Sequence, residues 1–123
     1  MDNKKKILIV EDDDLMVKIL LFILNKEGYD LTVFTDGLSA IEQISTINPD
    51  MVITDLILPY KSGIEVISFI KTNFQELPII VLSGLGEEEN SVNEAFSLGA
   101  DDFIAKPFKP NELILRVKRL FNK

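Results

Sequence analysis

Short apolar runs and longer mixed stretches take turns along the whole chain. The runs "KILIV" at 6–10, "LTVF" at 31–34, "MVIT" at 51–54, "PIIVLS" at 78–83 and "DFIA" at 102–105 read as strands. They are rich in Ile and Val, and the first, third and fourth do not alternate with polar residues. Unbroken apolar strands of that kind belong to parallel sheets covered on both faces. Between the runs, the spacing predicts helices. The first, over about 15–26, places Leu15, Ile19, Leu20, Ile23 and Leu24 on one stripe, with Gly28 as its stop. The second, over 39–46, carries Ala40, Ile41 and Ile44, and the third, over 63–73, carries Ile64, Val66, Ile67 and Ile70. A fourth opens on Glu87, Glu88 and Glu89 and closes at Gly99, but its stripe of Val92, Ala95, Phe96 and Leu98 is thin. The loosest packing is expected there. The last helix starts near Pro110 and repeats Leu113, Val117, Leu120 and Phe121 on one face, with Arg116, Lys118, Arg119 and Lys123 balancing its C-terminal dipole. Five βα units in 123 residues predict an α/β fold, a doubly wound parallel sheet, with residues 1–123 forming one domain.

Composition narrows what such a sheet can do. Thirteen basic against twenty acidic side chains leave a net charge of -7, which argues against direct binding to nucleic acid or an anionic membrane. There is no cysteine, hence no thiol chemistry, which fits a reducing cytoplasm, and no histidine, the commonest general base. The apolar run after "MDNKKK" covers only Ile7 to Val10, too short for a signal peptide or a membrane span.

The acids then stand out by position. In doubly wound sheets, functional groups collect outside the carboxyl ends of the strands. Glu11 and Asp12 close the first strand, Asp55 the third, Ser83 the fourth, and Lys106 follows the fifth. Each has a plainer reading taken alone: a helix cap, a turn, a surface charge. Their convergence on one sheet edge is what makes the joint plain reading weak. Like charges at Glu11, Asp12 and Asp55 repel, and a hard divalent cation would offset that; Mg²⁺ takes oxygen ligands and keeps several waters beside one or two carboxylates. Asp13 and Asp14 are read as a cap and a dipole partner instead.

At these residues the chain resembles the receiver domain of two-component response regulators, through "ILIVEDD", "MVITDLILP", "PIIVLSG" and "GADDFIAKPF" in that order. The resemblance implies a flavodoxin-like sheet of strand order 2-1-3-4-5 with five helices. It implies that Asp55 accepts a phosphoryl group from a sensor histidine kinase or a phosphotransfer protein in a Mg²⁺-dependent reaction. Glu11, Asp12, Asp55 and the backbone carbonyl of Ile57 would hold the metal. Ser83 and Lys106 would contact the phosphoryl group, and Ser83 with Phe103 would switch the face formed by the fourth helix, fifth strand and fifth helix toward a downstream effector. The Lys106–Pro107 bond is typically cis in such domains. Mg²⁺ and Lys106 would together neutralise the incoming phosphoryl oxygens.

Some positions depart from the family pattern. Phe103 stands where tyrosine is frequent, so packing alone would hold its inward state. Ile57 and Leu85, each two residues past a site residue, lie near the path of an attacking water in the family, and two apolar side chains there are expected to slow phosphoryl loss. The fourth helix lacks the basic residue that pairing between such domains usually employs, so at most a weak or phosphorylation-dependent homodimer is expected. Three rivals remain: an aspartyl phosphatase of the haloacid-dehalogenase type, whose second aspartate would fall at Ile57; a flavodoxin-like cofactor binder, which would need a phosphate loop in place of the acids; and a degenerate receiver that binds partners unphosphorylated.

Overall fold

The computed structural model describes residues 4–84 and 89–123. Strands β1 (Lys6–Val10), β2 (Asp30–Phe34), β3 (Met51–Asp55), β4 (Ile79–Ser83) and β5 (Asp102–Ala105) alternate with helices α1 (Asp14–Lys26), α2 (Gly37–Ile47), α3 (Gly63–Asn73), α4 (Glu89–Ser97) and α5 (Pro110–Phe121). Every strand pair is parallel and the order is β2-β1-β3-β4-β5, the flavodoxin-like arrangement. Side chains alternate across the pleat, so each central strand feeds two layers. Ile7, Ile9, Ile53, Ile80, Leu82 and Ile104 meet Leu20, Ile23 and Leu24 of α1 and Leu113 and Val117 of α5. Leu8, Val10, Val52, Ile79 and Val81 meet Ala40 and Ile44 of α2, Val66, Ile67 and Ile70 of α3, and Ala95 of α4. That is why β3 and β4 are buried along their whole length and show no polar alternation.

Local chemistry sets the helix starts. The Asp13 carboxylate accepts from the Met16 N–H at 2.8 Å, and Asp36 accepts from the Ser39 N–H at 2.7 Å. Ser62 and Glu65 form a reciprocal capping box on α3. Because Asp36 is the cap, α2 begins at Gly37, two residues before the sequence expectation. Glu87 and Glu88, read as the opening of the fourth helix, lie outside the described residues, as does Leu85.

Two readings are corrected. Leu15 and Ile19 do not belong to the buried stripe of α1: they are 66% and 37% exposed, and with Phe22 they turn outward while Leu20, Ile23 and Leu24 face the sheet. Helical geometry allows one such stripe, and the sheet selects the later set. Arg116 and Arg119 do more than balance the α5 dipole. Their guanidinium groups hold the two oxygens of the part-buried Asp102 carboxylate at 2.7 and 2.8 Å, tying α5 to β5. Helix α4 buries Ala95 and half-buries Val92, and Leu98 just past its end is half-buried, but Phe96, read as part of the same stripe, is 43% exposed.

Candidate functional site

Strand register brings the polar residues together. Val10 lies beside Thr54, and Asp55 beside Leu82, so Glu11, one step past β1, falls beside the end of β3. Ser83 pairs with Ala105, and the Lys106 N–H donates to the Ser83 carbonyl at 2.7 Å, carrying the ladder one residue beyond β5. By alternation, Glu11, Asp55 and Lys106 emerge on the side of the sheet covered by α1 and α5, following Ile9, Ile53 and Ile104. The Lys106 ammonium donates to Asp55 Oδ2 at 2.9 Å and to Glu11 Oε1 at 3.2 Å. The second Glu11 oxygen accepts from the Asp13 N–H at 3.1 Å, and Asp55 Oδ1 accepts from the Leu56 N–H at 2.7 Å. Glu11 and Asp55 are buried, whereas Asp12 is exposed, yet carboxylate oxygens of all three lie within 4.8 Å of one another.

Two buried carboxylates thus share one ammonium, with the exposed Asp12 carboxylate beside them. Burial, and then the Asp55 charge, push the Glu11 carboxyl up to about 7, against the opposing pull of the Asp13 N–H and Lys106. Burial alone would draw Lys106 down, but the hydrogen bond and charge of Asp55, joined by Glu11, outweigh it and raise its pKa. Between pH 4.5 and about 7 the folded protein therefore holds a proton on Glu11 that the unfolded chain has lost. Stability of the metal-free protein should fall as pH rises through that window, by about 3 kcal/mol at most. Lys106 adds nothing there, since its raised pKa costs stability only above its ordinary 10.5. Urea midpoints at pH 5 and pH 7.5 measure the slope, and Glu11→Gln should flatten it; an unchanged slope in that variant would place the proton elsewhere.

The family model for the response regulator receiver domain matches residues 7–118. The chain belongs to that family. It is 37% identical over 119 residues to the alkaline phosphatase synthesis transcriptional regulatory protein PhoP of Bacillus subtilis, covering 97% of this chain and 49% of that protein. The receiver domain thus spans about half the length of that curated relative. Among solved structures, it is similar to a Chloroflexus aurantiacus protein assigned as a response regulator, with a TM-score of 0.92, 32% identity, and 98% and 100% of the two chains covered. It is also similar to the receiver domain of NtrX from Brucella abortus, with a TM-score of 0.88, 33% identity, and 95% and 98% covered. Receiver domains are in general signalling modules of two-component systems, and the family carries an expectation of a histidine kinase upstream.

In this receiver domain the remaining expected residues take separate places. Ser83 is 6% exposed, and its hydroxyl makes no hydrogen bond among the described residues. A buried hydroxyl without a partner is costly, and an acceptor brought beside it would relieve that cost. Phe103 is half-buried on the opposite face, edge-on to Phe96 of α4 with ring centroids 6.3 Å apart. The Ile57 side chain is 66% exposed, and its carbonyl accepts no hydrogen bond among the described residues. The Lys106–Pro107 bond is cis. No described helix is long and apolar enough to cross a membrane.

The donor set fits Mg²⁺. It consists of hard oxygens only, one carboxylate is solvent-facing, and once Glu11 loses its proton the buried pair carries more negative charge than Lys106 offsets. Sequence reasoning missed that Lys106 bridges Asp55 and Glu11 together, and that Glu11 is buried. Nothing in the local pattern distinguishes Glu11 from its neighbour Asp12; the pleat does, by sending one inward and the next outward.

Proposed function

We propose that residues 1–123 form a single cytoplasmic receiver domain in which Asp55 accepts a phosphoryl group from the phosphohistidine of a sensor histidine kinase or phosphotransfer protein. The observation that carries this reading is the buried Asp55 carboxylate, held between the Leu56 N–H at 2.7 Å and the Lys106 ammonium at 2.9 Å beside two further acids. With Oδ1 engaged by the backbone, Oδ2 is the oxygen offered to phosphorus. The new O–P bond forms as the donor's N–P bond breaks, and the bonding pair leaves with the imidazole. Bound Mg²⁺, on Glu11, Asp12, Asp55 and the Ile57 carbonyl, would supply charge neutralisation for the phosphoryl oxygens. Lys106 exchanges its bond with Oδ2 for one with a phosphoryl oxygen, and the open Ser83 hydroxyl donates to another.

Drawing Ser83 toward the phosphoryl group changes what lies beside β4 and β5, and Phe103 and Phe96 are the large side chains placed to respond. The domain then biases its α4–β5–α5 face between two arrangements and acts as a signal carrier, catalysing at most its own phosphorylation and dephosphorylation. Incubation with acetyl phosphate and Mg²⁺ should give one phosphoryl adduct by intact mass, absent with chelator and absent in Asp55→Asn. Steady phosphate release without an adduct would instead indicate a phosphatase, and no reaction at all a degenerate receiver.

A further inference from the structure

The loop that follows Asp55 contains a backbone conformation its residue does not favour. Tyr60 has φ of +67°, and the Lys61 N–H donates to the Pro59 carbonyl at 2.8 Å, closing a three-residue turn around it. Turns of this hand are rare, and a bulky side chain in the left-handed region is strained, whereas glycine or asparagine adopts it readily. The strain is not offset by contacts of Tyr60 itself, because the side chain is 83% exposed. It is imposed from both ends. The Gly37 N–H donates to the Pro59 carbonyl at 3.3 Å, and a Cβ on Gly37 would collide with the Lys61 carbonyl, so α2 abuts the turn directly. On the other side, the Gly63 N–H donates to the Leu56 carbonyl at 2.8 Å, and the Ser62–Glu65 box fixes the start of α3.

The framework therefore presents an aromatic side chain to solvent, five residues past Asp55, on the loop that bounds the acid site. Strained residues held by their surroundings cluster at recognition and active sites. Exposed tyrosine is a frequent anchor at protein interfaces, where it adds contact area at little entropic cost. A protein that delivers a phosphoryl group to Asp55 brings its own surface to the strand edge from which this loop leaves. A small phosphodonor need not touch it.

Building on the phospho-accepting reading of Asp55, we infer that Tyr60 is a specificity residue: it contacts the protein phosphodonor and selects it over small-molecule donors. The exposed Ile57 side chain, three residues earlier on the same loop, supplies an apolar neighbour for that contact.

The test compares wild type, Tyr60→Gly, Tyr60→Asn and Tyr60→Phe with two kinds of donor: acetyl phosphate, and the autophosphorylated histidine kinase of its own organism that transfers fastest to the wild type. Glycine and asparagine both accommodate the turn, so both variants should fold with unfolding midpoints no lower than wild type. Acetyl phosphate should label all four proteins at Asp55 equally. Transfer from the kinase should lose about ten-fold or more in kcat/KM in Tyr60→Gly and Tyr60→Asn, and stay near wild type in Tyr60→Phe. Unchanged transfer in the two small variants overturns the inference while leaving the role of Asp55 intact. An equal loss with both donors overturns it as well, because Tyr60 would then act on the acid site itself. Labelling by acetyl phosphate with no transfer from any phosphorylated kinase likewise rejects a protein-donor contact. Failure of acetyl phosphate to label the wild type would reject the phospho-accepting reading on which the inference rests.

Discussion

Lys106→Ala should slow formation of the Asp55 adduct by about 100-fold or more and weaken the metal-free fold by about 3 kcal/mol at pH 8. Both effects come from one atom. The ammonium lies 2.9 Å from Asp55 and 3.2 Å from Glu11, with its side chain only 18% exposed. Removing it leaves two buried carboxylates facing each other across the space it filled. The protein has an escape, since Glu11 already holds its proton up to about pH 7 and would hold it longer in the variant. The stability loss should therefore shrink at pH 5, where Glu11 is neutral in both proteins. Urea unfolding at the two pH values tests this, and equal losses would mean that Lys106 acts through packing of its stem rather than through charge. Saturating Mg²⁺ should recover much of the stability at pH 8 without restoring the adduct rate, because the proposed function also calls for the ammonium on the phosphoryl oxygens.

Gly63→Ala is the second large effect, expected to cost about 3–5 kcal/mol or to prevent folding. The φ of Gly63 is ordinary; what forbids a side chain is space. An added Cβ would collide with the Asp55 carbonyl oxygen and sit 2.6 Å from Leu56 Cα and 2.9 Å from the Asp55 carbonyl carbon. These are backbone atoms of the segment carrying the central carboxylate, so they cannot swing aside as a flexible side chain does. Gly28→Ala is the contrast. Gly28 has φ of +87° but nothing within 4 Å of its missing Cβ, so the substitution introduces only backbone strain and costs about 1 kcal/mol. Denaturant midpoints of the two variants separate close approach from conformational strain. Similar losses would show that the α3 start can shift away from β3 after all.

The unbroken runs of β1, β3 and β4 announced a parallel sheet because both faces of those strands are buried, and burial on both faces leaves no room for polar alternation. The site was legible for the same reason: strand ends are where apolar runs stop, and the residues that stop them project from one edge. What the linear pattern could not reveal depends on contacts between distant segments. Leu15 and Ile19 share the periodicity of the buried residues of α1, and only the position of the sheet decides which of them it covers. Arg116 and Arg119 look like ordinary C-terminal charges until β5 brings Asp102 beneath them. The left-handed turn at Tyr60 carries no glycine to signal it, since the conformation is forced by Gly37 and Gly63 from neighbouring helices.

Strand order has its own consequence for signalling. Among the described residues β5 is bordered by β4 alone, with no strand on its other flank, and it bears Phe103 as well as the Asp102 that anchors two arginines of α5. A shift of this outermost strand would disturb one ladder and leave the three interior strands in register. Under the proposed function, news of an event at the central strand would reach the surface at the margin of the molecule, where rearrangement is cheapest and another protein could read it.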